Sequence, residues 1–308
     1  MIMADAVAPP AARQGDSMRG FLFMFSAYFL WGLLPFYLKT VAHMPPWEVV
    51  AHRIVWSVPI AGAVLLVLGR TADIRLAFQS PRMLIMAAST AAVITGNWGV
   101  YIWAIANDRV LDTALGYYIN PLVSIAMAAV LLGEKLTRFQ VAAVALAAVA
   151  VGVLTIEGGG VPWISLALAF SFAIYGFLRK TLPIGPSQGF FLEVLILSVP
   201  ALAYIAWLQW AGESHFRLDR PVDVTLLLAS GPATAIPLLF YAFGAKLLRY
   251  ATIGIMQYIA PSMVFVTAIF VFREPFSGEE AVAFALIWIA LALYTWPMLR
   301  ALRVKDAR

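Results

Sequence analysis

Apolar residues run through this chain in long blocks separated by short polar breaks. The blocks fall near 20–38, 47–69, 83–107, 111–132, 138–155, 163–179, 189–210, 224–247, 251–272 and 281–299. Most have the roughly 17 to 25 residues that a helix needs to cross a bilayer. The pattern predicts an all-α integral membrane protein with ten transmembrane helices, numbered 1 to 10 in chain order. The first block is longer than a signal-peptide core of roughly 7 to 15 residues and no small-residue cleavage pattern follows it, so it stays as helix 1. Residues 1–17 are rich in Ala and Pro, carry mixed charge and lack periodicity, which predicts a disordered tail. Residues 303–308 form a second short tail.

The pattern is also written twice. Shifting the stretch Asn97–Glu134 by 140 residues lays Tyr101 on Tyr241, Arg109 on Arg249, Tyr118 on Tyr258, Ile119 on Ile259, Pro121 on Pro261, Ala128 on Ala268 and Glu134 on Glu274. Five of these seven identities are Tyr, Arg, Pro or Glu, types that apolar composition alone rarely matches. Trp31-Gly32 meets Tyr175-Gly176 at an offset of 144, and Ser57-Val58-Pro59 meets Ser198-Val199-Pro200 at 141, which sets His52 against Glu193. The chain therefore reads as two five-helix units, 18–157 and 158–302. Five is odd, so the second unit enters the membrane from the opposite side and the repeat is of inverted topology.

Composition agrees with the membrane reading: 63% of the residues are apolar and only 12% charged, against about 45 to 50% and 25% in soluble domains. The absence of cysteine removes disulfide frameworks, thiolate catalysis and Cys-ligated metal sites. A net charge of +5 is no sign of nucleic-acid binding here, because the basic residues sit in loops between spans. With the N-terminus in the cytoplasm, fifteen Lys and Arg fall on the cytoplasmic side and five on the outer side, with Arg53 inside helix 2. The positive-inside rule then predicts both termini in the cytoplasm.

Polar residues inside the spans are the candidate chemistry. Helix 4 carries Thr113, Tyr117, Asn120 and Ser124 on one face, and helix 3 carries Asn97, Tyr101 and Asp108 in the same way. Helix 1 adds Tyr28, Trp31, Pro35 and Lys39, helix 6 adds Ser171, Tyr175 and Arg179, and Gln257 of helix 9 stands where Tyr117 stands in the first unit, beside Tyr258. Such stripes serve either as helix–helix glue, at about 0.6 kcal/mol per interhelical hydrogen bond, or as the wall of a water-accessible cavity. As a set they predict a substrate cavity among helices 1, 3, 4, 6, 8 and 9, with Trp31, Asn97, Tyr101, Tyr117, Asn120, Tyr175, Gln257 and Tyr258 as its residues.

Four ionisable or charged groups are candidates for gating or coupling: Glu48, His52, Arg53 and Glu193. Glu48 and His52 are one turn apart at the outer end of helix 2. Either Arg53 snorkels outward and pairs with Glu48, or the cluster is an outer gate or proton site. Glu193 has no basic residue within a turn along its own helix. Pro121 and Pro261 sit at equivalent places in helices 4 and 9, where each frees a backbone carbonyl near the expected site. The Ala-rich helices 5 and 10 read as scaffold, and as the face of a homodimer.

Two enzyme motifs nearly appear. Trp47-Glu48-Val49-Val50-Ala51-His52 lacks the first His of H-E-x-x-H. Gly185-Pro186-Ser187-Gln188-Gly189 satisfies G-x-S-x-G but joins two membrane helices, and His215 falls on the opposite side of the membrane. No enzyme, metal or cofactor is expected.

The sequences H-R-I-V-W-S of helix 2, N-W-G-V-Y-I-W-A-I-A-N of helix 3, L-G-Y-Y-I-N-P-L of helix 4, S-F-A-I-Y-G-F-L-R-K of helix 6 and I-M-Q-Y-I-A-P-S of helix 9 resemble the EamA branch of the drug/metabolite transporter superfamily. The resemblance covers roughly residues 18–302. It implies a ten-helix inverted-repeat carrier of the bacterial inner membrane, moving a small-molecule substrate. A membrane scaffold or sensor is the alternative, and a scaffold needs no polar cavity, so the aligned stripes favour the carrier. Rocking of the two five-helix halves about a midplane site is the expected motion, in the direction of export.

Overall fold

Ten helical spans are present where the apolar blocks predict them. In the computed structural model they are α1 (Met18–Thr40), α2 (Pro46–Val67), α3 (Pro81–Ala106), α4 (Val110–Leu132), α5 (Arg138–Ile156), α6 (Trp163–Thr181), α7 (Pro186–Ala211), α8 (Pro221–Ala245), α9 in three pieces (Tyr250–Met256, Ile259–Val266 and a π-helical turn Thr267–Val271) and α10 (Gly278–Asp306). The structure describes residues 17–306 except 68, 70, 72, 73, 75, 76, 134, 158, 182, 183, 246 and 249. Residues 1–16 of the tail expected at 1–17, residues 307–308 of the second tail, and Arg70, Arg75, Glu134, Lys246 and Arg249, which enter the repeat and the charge count, lie outside the described residues. Among the described residues there is no strand, and nine helices are long and apolar enough to cross a membrane, with Trp163–Arg179 a shorter apolar tenth. The protein is an all-helical, multi-pass membrane protein.

Local sequence sets the helix ends. Ser17 caps α1 by accepting from the Gly20 amide, Ser80 caps α3 with Pro81 at its first position, and Thr137 and Gln140 form a reciprocal capping box on α5. Gly133 and Gly212 end α4 and α7 in the left-handed conformation that a Cβ disfavours. Along α1 the exposed residues Phe21, Phe25, Phe29 and Phe36 form an outward stripe, while Met24, Tyr28, Gly32 and Pro35 face inward. In a bilayer the Phe stripe is the lipid-facing side.

Successive helices alternate in direction, so both ends of the described chain lie on one side, here called the near side. The opposite side is the far side. The most extensive helix contacts join the two halves: α1 on α8 and α9, α2 on α7 and α8, α3 on α6 and α7, α4 on α6 and α9, and α5 on α10. Replacing each helix by the one five places away maps this set of pairings onto itself. Two four-helix groups can be drawn, α1–α2–α8–α9 and α3–α4–α6–α7, which meet where α2 crosses α7, α4 crosses α9 and α3 lies against α1 and α2. Each group draws helices from both sequence halves, so the halves are not two bodies lying side by side.

Glycines permit the closest approaches within the groups. A Cβ on Gly116 of α4 would lie 2.8 Å from the Ser165 carbonyl oxygen of α6, and one on Gly32 of α1 would lie 2.7 Å from Met263 Sδ of α9. Small residues at such contacts let backbones meet where lipid supplies no hydrophobic drive for association. The alanine faces of α5 and α10 are used in the same way: Ala143, Ala147 and Ala150 are buried on α5, and Ala283 and Ala290 on α10. These faces meet each other inside one chain.

The two prolines act differently. Pro121 lies within an unbroken α4, whereas α9 breaks at Gln257 and Tyr258, just ahead of Pro261. The missing N–H of Pro261 removes the bond that would otherwise tie Gln257 into the following turn.

Candidate functional site

The expected site residues divide into three places. Toward the far side of the bundle centre, Tyr117 of α4 donates to Asn97 Oδ1 of α3 at 3.3 Å and its ring meets that of Tyr101 edge-on at 5.6 Å. Asn97 Nδ2 donates to Ser171 Oγ at 2.9 Å and to the Leu168 carbonyl at 3.2 Å, and Asn120 Nδ2 donates to the Ala169 carbonyl at 3.0 Å. Both Asn side chains are buried and fasten α3 and α4 to α6. Toward the near side, Trp31 of α1 packs on Tyr28 and Tyr241, and Tyr175 of α6 lies within electrostatic reach of Tyr241 and donates to Glu193. Tyr258 lies apart from both. It stacks on Tyr118, whose ring contacts Phe284 and Trp288 of α10, while the Gln257 amide turns back onto the Gly254 carbonyl of its own helix.

Arg53 does not pair with Glu48 and does not snorkel, a correction to the bland alternative read from sequence. Glu48 is fully buried and accepts the backbone N–H of His215 at 2.7 Å and the Ser214 hydroxyl at 3.2 Å, with His215 Nδ1 at 2.7 Å from its second oxygen. The α7–α8 loop thus partners both carboxylate oxygens. Arg53 lies seven residues into α2, roughly 10 Å below the helix end at about 1.5 Å per residue. It is 4% exposed, donates from Nε to Thr234 Oγ1 of α8 at 2.9 Å, and stacks on Trp98 of α3 at 4.9 Å. The phenols of Tyr37, Tyr101 and Tyr117 are close enough to interact with its charge.

His52, next to Arg53, accepts from Trp56 Nε1 at its Nδ1 over 3.1 Å. That bond requires Nδ1 to carry no proton, so the imidazole is held neutral with its proton on Nε2. Glu193 is not alone in space, although its own helix offers no basic neighbour. Arg179, from the end of α6, places Nη1 3.4 Å from Glu193 Oε1, and Tyr175 donates to Oε2 at 3.2 Å. Spacing along α7 could not reveal a partner arriving from another helix.

Sequence reasoning missed the far-side fastening. Lys39 of α1 pairs with Asp108 in the α3–α4 loop, and His43 lies 3.0 Å from Asp223 of α8. Glu274, after α9, accepts the amides of both Val110 and Leu111 at 2.8 Å each. Burial pushes the Glu274 carboxyl up from its ordinary range, and the two N–H donors and Lys39 act against that. The repeat did single out Glu274, but only as a match to Glu134. The serine of the G-x-S-x-G sequence begins α7, and His215 is held at the far end by Glu48, so the two do not meet.

Similarity to known proteins agrees with this architecture. Residues 18–156 match the EamA-like transporter family. Protein RarD of Streptomyces exfoliatus is 42% identical over 295 residues, covering 96% of this chain and 94% of that protein. A protein named an uncharacterized transporter in Vibrio cholerae is 38% identical over 289 residues, covering 94% of this chain and 95% of its own. A solved crystal structure superposes with a TM-score of 0.58 at 20% identity, covering 91% of this chain and 98% of that one, and so shares the fold. With identity of this degree along nearly its whole length, the chain belongs to the EamA-like transporter family as a RarD-like membrane transporter.

Proposed function

We propose that this transporter moves a small solute across the bacterial inner membrane by alternating access, in the export direction, with the near side and both termini in the cytoplasm. The observation that carries the reading is the polar fastening between the two four-helix groups at one end of the bundle. Lys39 to Asp108 and Glu274 to the amides of Val110 and Leu111 both cross from α1–α2–α8–α9 to α3–α4–α6–α7. Opening the far side requires these links to break. An exposed ion pair such as Lys39–Asp108 contributes about 0 to 1 kcal/mol, small enough to break in every cycle. The solute site in this reading lies between the groups and is lined by Trp98, Tyr117, Trp31 and Tyr175, all of them partly exposed.

The moving bodies are then the two mixed groups, not the halves 18–157 and 158–302. The self-mapping helix pairings support a 5+5 inverted repeat as their origin, and a midplane site between repeats is the usual consequence. The sequence assigned a homodimer to helices 5 and 10; with their alanine faces occupied inside the chain, such a dimer would use the exposed Val141, Val149, Val282 and Ile289.

Because the chain contains no cysteine, the gate can be tested before any solute is identified. In Ser171→Cys, the rate of modification by a membrane-impermeant thiol reagent added from the far side should rise when Lys39 and Asp108 are both changed to Ala. It should fall when Lys39→Cys and Asp108→Cys are oxidised to a disulfide. A rate unaffected by either change refutes the gate.

A further inference from the structure

We infer that Arg53 is an anion-recognition residue and that the solute it receives is a small organic monocarboxylate. The inference rests on the transport reading, since it takes Arg53 as lining the solute's path.

A guanidinium cannot shed its charge by deprotonation at any ordinary pH, and an unpaired charge buried in a membrane helix bundle is costly enough to mark a functional position. Arg53 is such a charge. It is 4% exposed, and among the described residues no carboxylate pairs with it. Glu48, the acid nearest along α2, is taken up by Ser214 and His215. Nε is used by Thr234, while Nη1 is buried without a hydrogen-bond partner. The unused Nη edge is the side on which a planar carboxylate can be met by parallel N–H donors.

The surroundings define the rest of the solute. Trp98 covers a face of the guanidinium, and Tyr37, Tyr101 and Tyr117 supply neutral rings and hydroxyls but no second cation. One positive charge in a weakly polar enclosure balances one negative charge, and a dianion would leave an excess. Tyr117 and Trp98 are themselves only partly buried. Ring faces of this kind suit an acid with a compact planar body.

The test is thermal unfolding of the purified full chain in detergent, with matched probes at constant sodium chloride: acetate against acetamide, benzoate against benzamide, and phenylacetate against phenylacetamide. At least one acid should raise Tm saturably while its amide does not. Arg53→Lys should weaken the apparent Kd for that acid about tenfold, because an ammonium lacks the planar fork. Arg53→Gln should abolish the response and leave Tm without probe unchanged or higher, because it removes an unpaired buried charge. No acid-over-amide preference in any pair overturns the inference, and the wild-type comparison needs no variant to fold. An equal response to sodium chloride alone, or a retained response in Arg53→Gln, also overturns it. The Ser171→Cys accessibility measurement is independent of these probes, so a failed anion site and a failed gate give different results.

Discussion

Glu274 caps a helix that begins 164 residues earlier in the chain: its two carboxylate oxygens accept the Val110 and Leu111 amides at 2.8 Å each. The residue preceding α4, Arg109, makes no side-chain cap of its own. Helix α4, one of the helices of the expected site, thus has its end satisfied from the other sequence half. Hydrogen bonds to a charged group are worth about 1.5 to 3 kcal/mol, and the α4 N-terminal dipole adds to them. Glu274→Ala should therefore destabilise the protein by about 2 to 4 kcal/mol on the same principles, and Glu274→Gln, which can still accept one amide, by less. Equilibrium unfolding in detergent measures both.

Close packing gives a second contrast. Gly116→Ala would put a methyl 2.8 Å from the Ser165 carbonyl oxygen, a backbone atom that cannot turn aside. Overpacking of this kind costs about 1 to 3 kcal/mol. Gly96→Ala meets nothing within 4 Å and should be neutral or stabilising, since alanine is favoured over glycine in a helix by about 1 kcal/mol. A comparison of Tm for the two variants checks the prediction.

Asn120 belongs to the α4–α6 seam through its bond to the Ala169 carbonyl. Asn120→Leu should lower stability by about 0.6 kcal/mol, the average for an interhelical hydrogen bond in a membrane, and leave the reactivity of Ser171→Cys unchanged. Parallel unfolding and thiol-modification measurements on this variant test both halves of the statement.

The side of each loop is directly measurable. With the near side cytoplasmic, single cysteines at Gly159 and Asp219 should react with an impermeant reagent on right-side-out membrane vesicles, and cysteines at Thr71 and Lys135 should be protected. Protection of Asp219→Cys together with labelling of Lys135→Cys would reverse the orientation.

The ten spans were legible because membrane crossing demands length and apolarity, and both are written locally along the chain. The break in α9 was half legible: Pro261 announced a lost hydrogen bond, but the identical Pro121 leaves α4 continuous, so the outcome depends on tertiary surroundings. Asn97 and Tyr101 lie within α3 as the stripe required, but Asp108, assigned to the same face, falls in the α3–α4 loop beyond the helix end at Ala106, and spacing alone could not divide the roles of the rest. Asn97 and Asn120 donate to carbonyls of α6, and the turn of Gln257 onto Gly254 involves a choice of rotamer. The alternative that paired Arg53 with Glu48 failed for a physical reason. Glu48 is its neighbour along α2, but Ser214 and His215 reach Glu48 from a loop more than 160 positions away. For the same reason Arg179 could not be found beside Glu193 from helical spacing.

The central claim is that the groups α1–α2–α8–α9 and α3–α4–α6–α7 rock against each other about the site between them. Double electron–electron resonance distances test it most directly, with one spin-label pair on Thr40 and Asn107 at the far side and another on Arg19 and Arg82 at the near side. When Lys39 and Asp108 are both changed to Ala, a longer far-side population should appear together with a shorter near-side population of matching weight. A single unchanged distance at both ends, or a change of the same sign at both, would contradict the account.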